Sequence, residues 1–245
     1  MLFEVCLQSV AGAVAAEAGG AGRVELCANL IEGGTTPSLA TIEATLAAIN
    51  IPTMVMIRPR GGDFLYSDRE LDVMLRDVAL CREAGAYGVV FGCLNRRGDV
   101  ARPQVQRLIQ EAGEKLRITF HRAFDVCRDP MDAQDELIEL GVDRILSSGQ
   151  APTVPAGREL LRELIVHGGD RITMLPGCGL TPGNVAETVR YLGVQEFHAT
   201  AFVRETSRME HRNEAVYMGL PGLPEFERAV TGVEEVRRFV RAVQA

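Results

Sequence analysis

Hydrophobic and polar positions alternate along this chain in two periods that trade places. Short apolar runs with a strand-like pattern ("LFEVC" from residue 2, "TMVMI" from 53, "RITFH" from 117, "RITML" from 171) each lead toward a longer stretch of helical periodicity. Between them a second motif recurs: "GAGRVELC" from Gly20, "GAYGVVFG" from Gly85, "GVDRILSS" from Gly141 and "GVQEFHAT" from Gly193. Each copy follows a helix-like segment. Its first glycine suits the left-handed position that ends a helix, and a strand begins two or three residues later.

Eight strands alternating with helices over 245 residues predict an α/β fold, a single-domain (β/α)8 TIM barrel spanning residues 1–245. A doubly wound open sheet is the competing arrangement, but eight regular units without a composition break favour closure. Helix starts agree with this reading. "SDRE" from Ser67 has capping-box spacing, and "TPGN" from Thr181 offers a Thr cap with Pro182 at the first helical position. Residues 201–231 stand outside the rhythm, as an extra loop segment before the last helix.

Aligning the four glycine-led copies places Glu25, Val90, Leu146 and His198 at one level of the barrel interior. Cys27, Gly92, Ser148 and Thr200 follow two residues later on the same face. The other strands bring Glu4, Cys6, Arg58, Thr119 and His121 toward the same C-terminal mouth. Two E-x-C pairs, Glu4/Cys6 and Glu25/Cys27, therefore converge on neighbouring strands.

Composition narrows what this mouth does. A net charge of −7 and a pI near 5.3 argue against nucleic acid or an anionic membrane as partner. No apolar run reaches the length of a membrane span, and the N-terminal stretch lacks a basic region ahead of its alanines, so no signal peptide is expected. Six cysteines without CxxC spacing fit reduced thiols in the cytoplasm and no tetrahedral zinc site.

Cys6 and Cys27, about one strand spacing apart or roughly 5 Å, could hold a soft monovalent metal, above all Cu(I). The alternative is that they are small buried hydrophobes. Two adjacent glutamates oppose a thiolate site unless a cation compensates, and Arg58 is the candidate for that role. Arg58, Arg60 and Asp63 beside a double glycine also suit a carboxylate or phosphate ligand. His121, followed by Arg122 and Asp125, is placed for acid–base or metal chemistry. The glycine-rich turn with Gly177 and Gly179 precedes a helix N-terminus that would attract an anion, and Ser148 could add a donor.

The motifs "EVC", "GRVELC", "EGGTTPS", "IRPRGGDF", "TFHRAFD", "GVDRILSSGQ" and "FHATA" together resemble the CutC copper-homeostasis family. "SRMEHRN" at 207–213 is similar to that family's segment after the barrel, giving Met209, Arg212 and Asn213. The resemblance runs from residue 4 to about residue 213. It implies a cytoplasmic TIM barrel, often a homo-oligomer, that handles copper and binds Cu(I) at Cys6 and Cys27. Cys178, between Gly177 and Gly179, departs from the family's glycine or alanine run.

Three functions compete on this reading. The first is a Cu(I)-binding homeostasis protein. The second is a barrel enzyme acting on a small anionic substrate, with Glu25 and His121 or His198 as acid–base groups and Arg58, Arg60, Arg122, Arg212 and the 177–179 turn near the anion. The third is a scaffold that binds partners through the 201–231 segment.

Overall fold

Buried β-strands on both faces need apolar side chains outward, against helices, and side chains inward that fill a narrow lumen. The computed structural model describes residues 1–213, 215, 216, 218, 219 and 222–244. Its strands β1 (Leu2–Leu7), β2 (Arg23–Leu26), β3 (Thr53–Met56), β4 (Gly88–Phe91), β5 (Arg117–Phe120), β6 (Arg144–Ser147), β7 (Thr173–Pro176) and β8 (Glu196–Ala199) are all parallel. Seven neighbouring pairs carry ladders, and a single bridge from Gly177 to His198 joins β7 to β8 and closes the barrel. The TIM barrel predicted above is the fold, with each strand predicted from the hydrophobic pattern present.

Helices α1 (Val10–Gly19), α2 (Leu39–Ala48), α3 (Asp68–Ala84), α4 (Arg102–Ala112), α5 (Pro130–Glu139), α6 (Val154–Gly168), α7 (Val185–Leu192) and α8 (Val233–Gln244) form the outer ring. The main core lies between them and the strands. Outward residues such as Val5, Val24, Val89, Phe120 and Phe197 pack there against Ala13, Leu71, Leu108, Leu161 and Phe239. Phe3 stacks on Phe197 at 4.6 Å and meets Phe239 at 4.9 Å, which seats α8 against the seam between the first and last strands.

The caps follow sequence logic with one difference. The Ser67 backbone N–H donates to Glu70 Oε2 (2.7 Å) and Glu70 N–H donates to Ser67 Oγ (3.4 Å), completing the predicted capping box on α3. "TPGN" instead forms a turn, with Thr181 N–H donating to Asn184 Oδ1 (2.8 Å), and α7 starts only at Val185. The extra segment is not all loop. Strands β9 (Phe202–Thr206) and β10 (Glu227–Thr231) pair antiparallel as a hairpin over the mouth, with Ala229 opposite Arg204 and Thr231 opposite Phe202. Among the described residues, no helix is long and apolar enough to cross a membrane.

The lumen is tight at its lower end. A Cβ on Gly88 would lie 2.4 Å from the Arg117 carbonyl oxygen and 2.6 Å from Met54 Sδ. Gly88→Ala is expected to destabilise the barrel by about 1–3 kcal/mol through overpacking against backbone that has nowhere to move. A lower urea midpoint at unchanged slope would register it, and an unshifted midpoint would contradict it.

Candidate metal centre at the barrel mouth

Strand alternation turns Glu4 and Cys6 of β1 inward, with Arg23 and Glu25 of β2 beside them and Cys27 just past its end. The register sets Glu4 opposite both Arg23 and His198, and Cys6 opposite Glu25. Every one of these six side chains is buried. Charge in such a place must be paired.

The pairing forms a ladder across the lumen. Arg144 Nε donates to Glu196 Oε2 (2.9 Å), and Arg23 Nη2 donates to the same oxygen (2.6 Å). Arg23 Nε then donates to Glu4 Oε2, whose other oxygen lies 2.8 Å from His198 Nδ1. His198 Nε2 stands 3.8 Å from Glu25 Oε2, and Cys27 Sγ lies 3.5 Å from that oxygen. Cys27 Sγ and Cys6 Sγ end the ladder 3.9 Å apart.

The electrostatics follow from this order. Burial would raise the Glu4 pKa, but the Arg23 charge and the His198 hydrogen bond outweigh it and hold Glu4 at about 2. Hydrogen bonding from the Cys27 thiol, helped by His198 against burial, pulls Cys6 down to about 5. Its partner Cys27 is pushed well up by the same contact and by burial. Burial and the charge on Cys6 raise the Glu25 pKa well above the usual carboxylate range. His198 loses to burial but gains more from the anionic groups around it, so its pKa is raised. The basic groups Arg23 and His198 thus face the acidic groups Glu4, Cys6 and Glu25.

Arg23 holds the place that the sequence reading gave to Arg58. The Arg58 guanidinium donates instead to the carbonyls of Glu32 (2.7 Å), Gly34 (2.8 Å) and Gly62 (2.8 Å). It ties the loop after β2 to the loop after β3, because carbonyl oxygens turned into that loop have no other donors. Arg60 likewise bonds Glu70 (2.5 Å) and Asp63 (3.1 Å), bracing the start of α3.

The other expected site residues fall outside the ladder. His121 Nδ1 accepts from Ala123 N–H (3.1 Å), and burial with the nearby Arg58 charge lowers its pKa to about 3, so the ring is neutral. Arg122 binds Asp125 (2.6 Å) and donates to Ser148 Oγ (2.8 Å), a bracket between β5 and β6. Gly177 lies beside His198, where a Cβ would come within 2.5 Å of Leu146 Cδ1 and 3.1 Å of His198 Cβ. Gly179 and Cys178 both have left-handed backbones, and the Cys178 thiol donates to Pro152 O (3.3 Å). Arg212 stacks over Phe226 at 5.1 Å.

Among the described residues, two groups bring three metal-competent donor atoms within 4.8 Å of one another: Cys6, Glu25 and Cys27, and Glu4, Glu25 and His198. Cys6 and Cys27 also belong to a separate small cluster inside the lumen with Met54, Met56 and Val90. Cys81, Cys93 and Cys127 lie in the outer core, where burial raises their pKa values to about 12, 12 and 11. They are packing residues. Arg23, Met54 and Met56 were missed by the motif reading, although alternation along "RVELC" already puts Arg23 on the face of Glu25 and Cys27.

Barrel and mouth define a class of TIM-barrel protein with a buried dithiol at the C-terminal end of its first two strands. The sequence pattern of the CutC family matches residues 1–203, and the chain belongs to that family. A CutC family protein of Bacteroides fragilis is 48% identical over 244 residues, covering 99% of this chain and 97% of that one. The mouse copper homeostasis protein cutC homolog is 44% identical over 237 residues, covering 96% and 87%. A crystal structure assigned to the copper homeostasis protein CutC of Streptococcus agalactiae superposes with a TM-score of 0.78 at 32% identity, covering 82% of this chain and 98% of that chain. Phosphoribosyl anthranilate isomerase of Thermococcus kodakaraensis shares the fold alone, with a TM-score of 0.59 at 18% identity over 99% and 98% of the two chains.

Removing the central cation tests the ladder. Arg23→Gln leaves Glu4 buried without its main partner and is expected to cost about 3–5 kcal/mol. Because the folded pKa of Glu4 is depressed, its stabilisation is present above the unfolded value of 4.5 and is lost as pH falls toward 2. Urea denaturation between pH 7 and pH 3 should therefore show a wild-type loss that is smaller in the variant, and parallel pH curves would refute the assignment.

Proposed function

We propose that this chain is a cytoplasmic copper-homeostasis protein that holds Cu(I) between Cys6 and Cys27. The observation that carries the reading is the thiol pair, 3.9 Å apart in a lumen shared with the thioethers of Met54 and Met56. Soft sulfur ligands select Cu(I) over the harder divalent ions. The copper-homeostasis names of the mouse relative and the Streptococcus structure support it from outside this chain.

Register adds a second support. Cys27 lies two residues beyond Glu25, the partner of Cys6, so the two Cα atoms are diagonal neighbours at roughly 8 Å from strand geometry and not one strand spacing apart as the sequence suggested. That separation exceeds the roughly 7 Å limit for a disulfide without backbone movement. A metal ion bridges the gap that a sulfur–sulfur bond does not. Charge balance agrees, since exchanging the Cys27 proton for a monovalent cation leaves the net charge of the lumen unchanged.

The alternative, an enzyme acting on a small anion, needs free cationic donors at the mouth. Arg60 and Arg122 are bonded within the fold, and Arg58 uses both terminal nitrogens there, leaving only its buried Nε without a partner. Copper is the better-supported ligand.

Titration of the reduced protein with Cu(I) against a chromophoric chelator tests the proposal. One ion per chain should bind tightly, with about one proton released at pH 7, and Cys6→Ser and Cys27→Ser should each weaken binding by at least about a hundredfold. Binding indifferent to both substitutions would reject the site.

A further inference from the structure

Cys6 and Cys27 are 6% and 1% exposed, so an ion cannot reach them without something moving. The cover over Cys27 is the loop from Ala28 to Thr35. Its base is a two-bond bridge, Ala28 N–H to Thr35 O (2.9 Å) and Thr35 N–H to Ala28 O (2.8 Å). Its far side is tied down by Arg58. At its centre is a 3-10 turn, Leu30–Glu32, whose first residue packs directly on the lumen cluster that contains both thiols. A Cβ built on Gly34 would lie 3.1 Å from Cys27 Sγ and 3.5 Å from Leu30 Cδ2, so both atoms border the same small space beside that glycine.

Leu30 has a second surface. With Gln8, Ile31, Phe202, Arg204 and Ala229 it lines a cleft of about 690 Å³ between this loop and the β9–β10 hairpin. Pairing of Ala229 with Arg204 and of Thr231 with Phe202 puts Phe202, Arg204 and Ala229 on one face of the hairpin, and the cleft is lined by that face together with Arg228 and Val230 from the other. The cleft is thus separated from the thiols by one leucine side chain.

We propose that this cleft is the vestibule of the dithiol and that Leu30 is its gate, admitting Cu(I) as its complex with a small peptide thiol. The inference rests on the copper reading for its cargo. Size argues for a carried ion, since a bare ion needs no chamber, whereas about 300–1,000 Å³ is the range of small-molecule pockets. The lining mixes apolar Leu30, Ile31 and Phe202 with the Gln8 amide, Arg228 and the Arg204–Glu227 ion pair (3.2 Å), charges of both signs that suit a short peptide carrying an amine and carboxylates.

Delivery is a ligand exchange without oxidation or reduction. Two copper–sulfur bonds to the carrier break and two form to Cys6 and Cys27, while copper stays monovalent. One departing carrier thiolate takes the proton of Cys27 and the other takes one from water. Leu30 packs on the thiol cluster but offers no donor atom, and the other named walls lie outside that cluster, so the cleft governs rate and leaves affinity alone.

Two substitutions push in opposite directions. Leu30→Ala removes the gate, and Ala229→Trp fills the cleft from the hairpin side. Iodoacetamide labelling of Cys6 and Cys27, followed by mass spectrometry without copper, should run about tenfold faster in the first variant and about tenfold slower in the second. Stopped-flow uptake from the Cu(I)–glutathione complex should follow the same order, with equilibrium affinity for Cu(I) within about threefold of the wild type. Labelling and uptake rates unmoved by both substitutions, or moved in the same direction by both, would overturn the vestibule. Wild-type protein that fails to bind Cu(I) but shows the opposed labelling rates would remove the copper cargo and keep the route to the thiols.

Discussion

Everything at the mouth of this barrel depends on neutralising charge where water does not reach. Arg23 is nearly inaccessible, and it holds Glu4 and Glu196 together from the second strand. Without that guanidinium the first strand would carry a buried carboxylate with His198 as its one remaining partner, a costly state so far from water. With it, Glu4 orients His198, and His198 in turn sets the potential felt by Cys6 and Glu25. The reactive end of the ladder is therefore controlled from deep inside the lumen.

The same fold makes two kinds of cysteine. Cys81, Cys93 and Cys127 sit among aliphatic and aromatic side chains between strands and helices, where only the neutral thiol is stable. Cys6 and Cys27 sit on the inner face, close to a histidine, two carboxylates and each other. Which face a residue occupies is decided by one position along a strand, because successive side chains point to opposite sides.

Arg58 shows how a prominent motif acquires a different use. "IRPRGG" suggests a cationic ligand site, yet its first arginine is turned back to three carbonyls of two adjoining loops. Carbonyls brought inward by the left-handed turns at Gly33, Gly34 and Gly62 need a donor, and a buried guanidinium supplies several from one side chain. The result is a fastened cover above Cys27. His121 is similarly diverted, capping the short turn after β5 with its Nδ1.

Much of the protein was legible in its residues. The alternation of strand and helix patterns, the four glycine-led repeats and the Ser67 capping box determined the barrel and its register closely enough to place Glu4, Cys6, Glu25, Cys27 and His198 at one mouth. These are properties of short segments, set by local periodicity and by the backbone freedom of glycine. What only the tertiary structure decided is which charge answers which. Arg23 meets Glu4 across adjacent strands, but Arg144 and Glu196 join them from 121 and 173 positions away along the chain. The strands β9 and β10 pair although some twenty residues separate them in sequence. Contacts of that kind depend on closure of the barrel, a global event, and no window of the sequence encodes them alone.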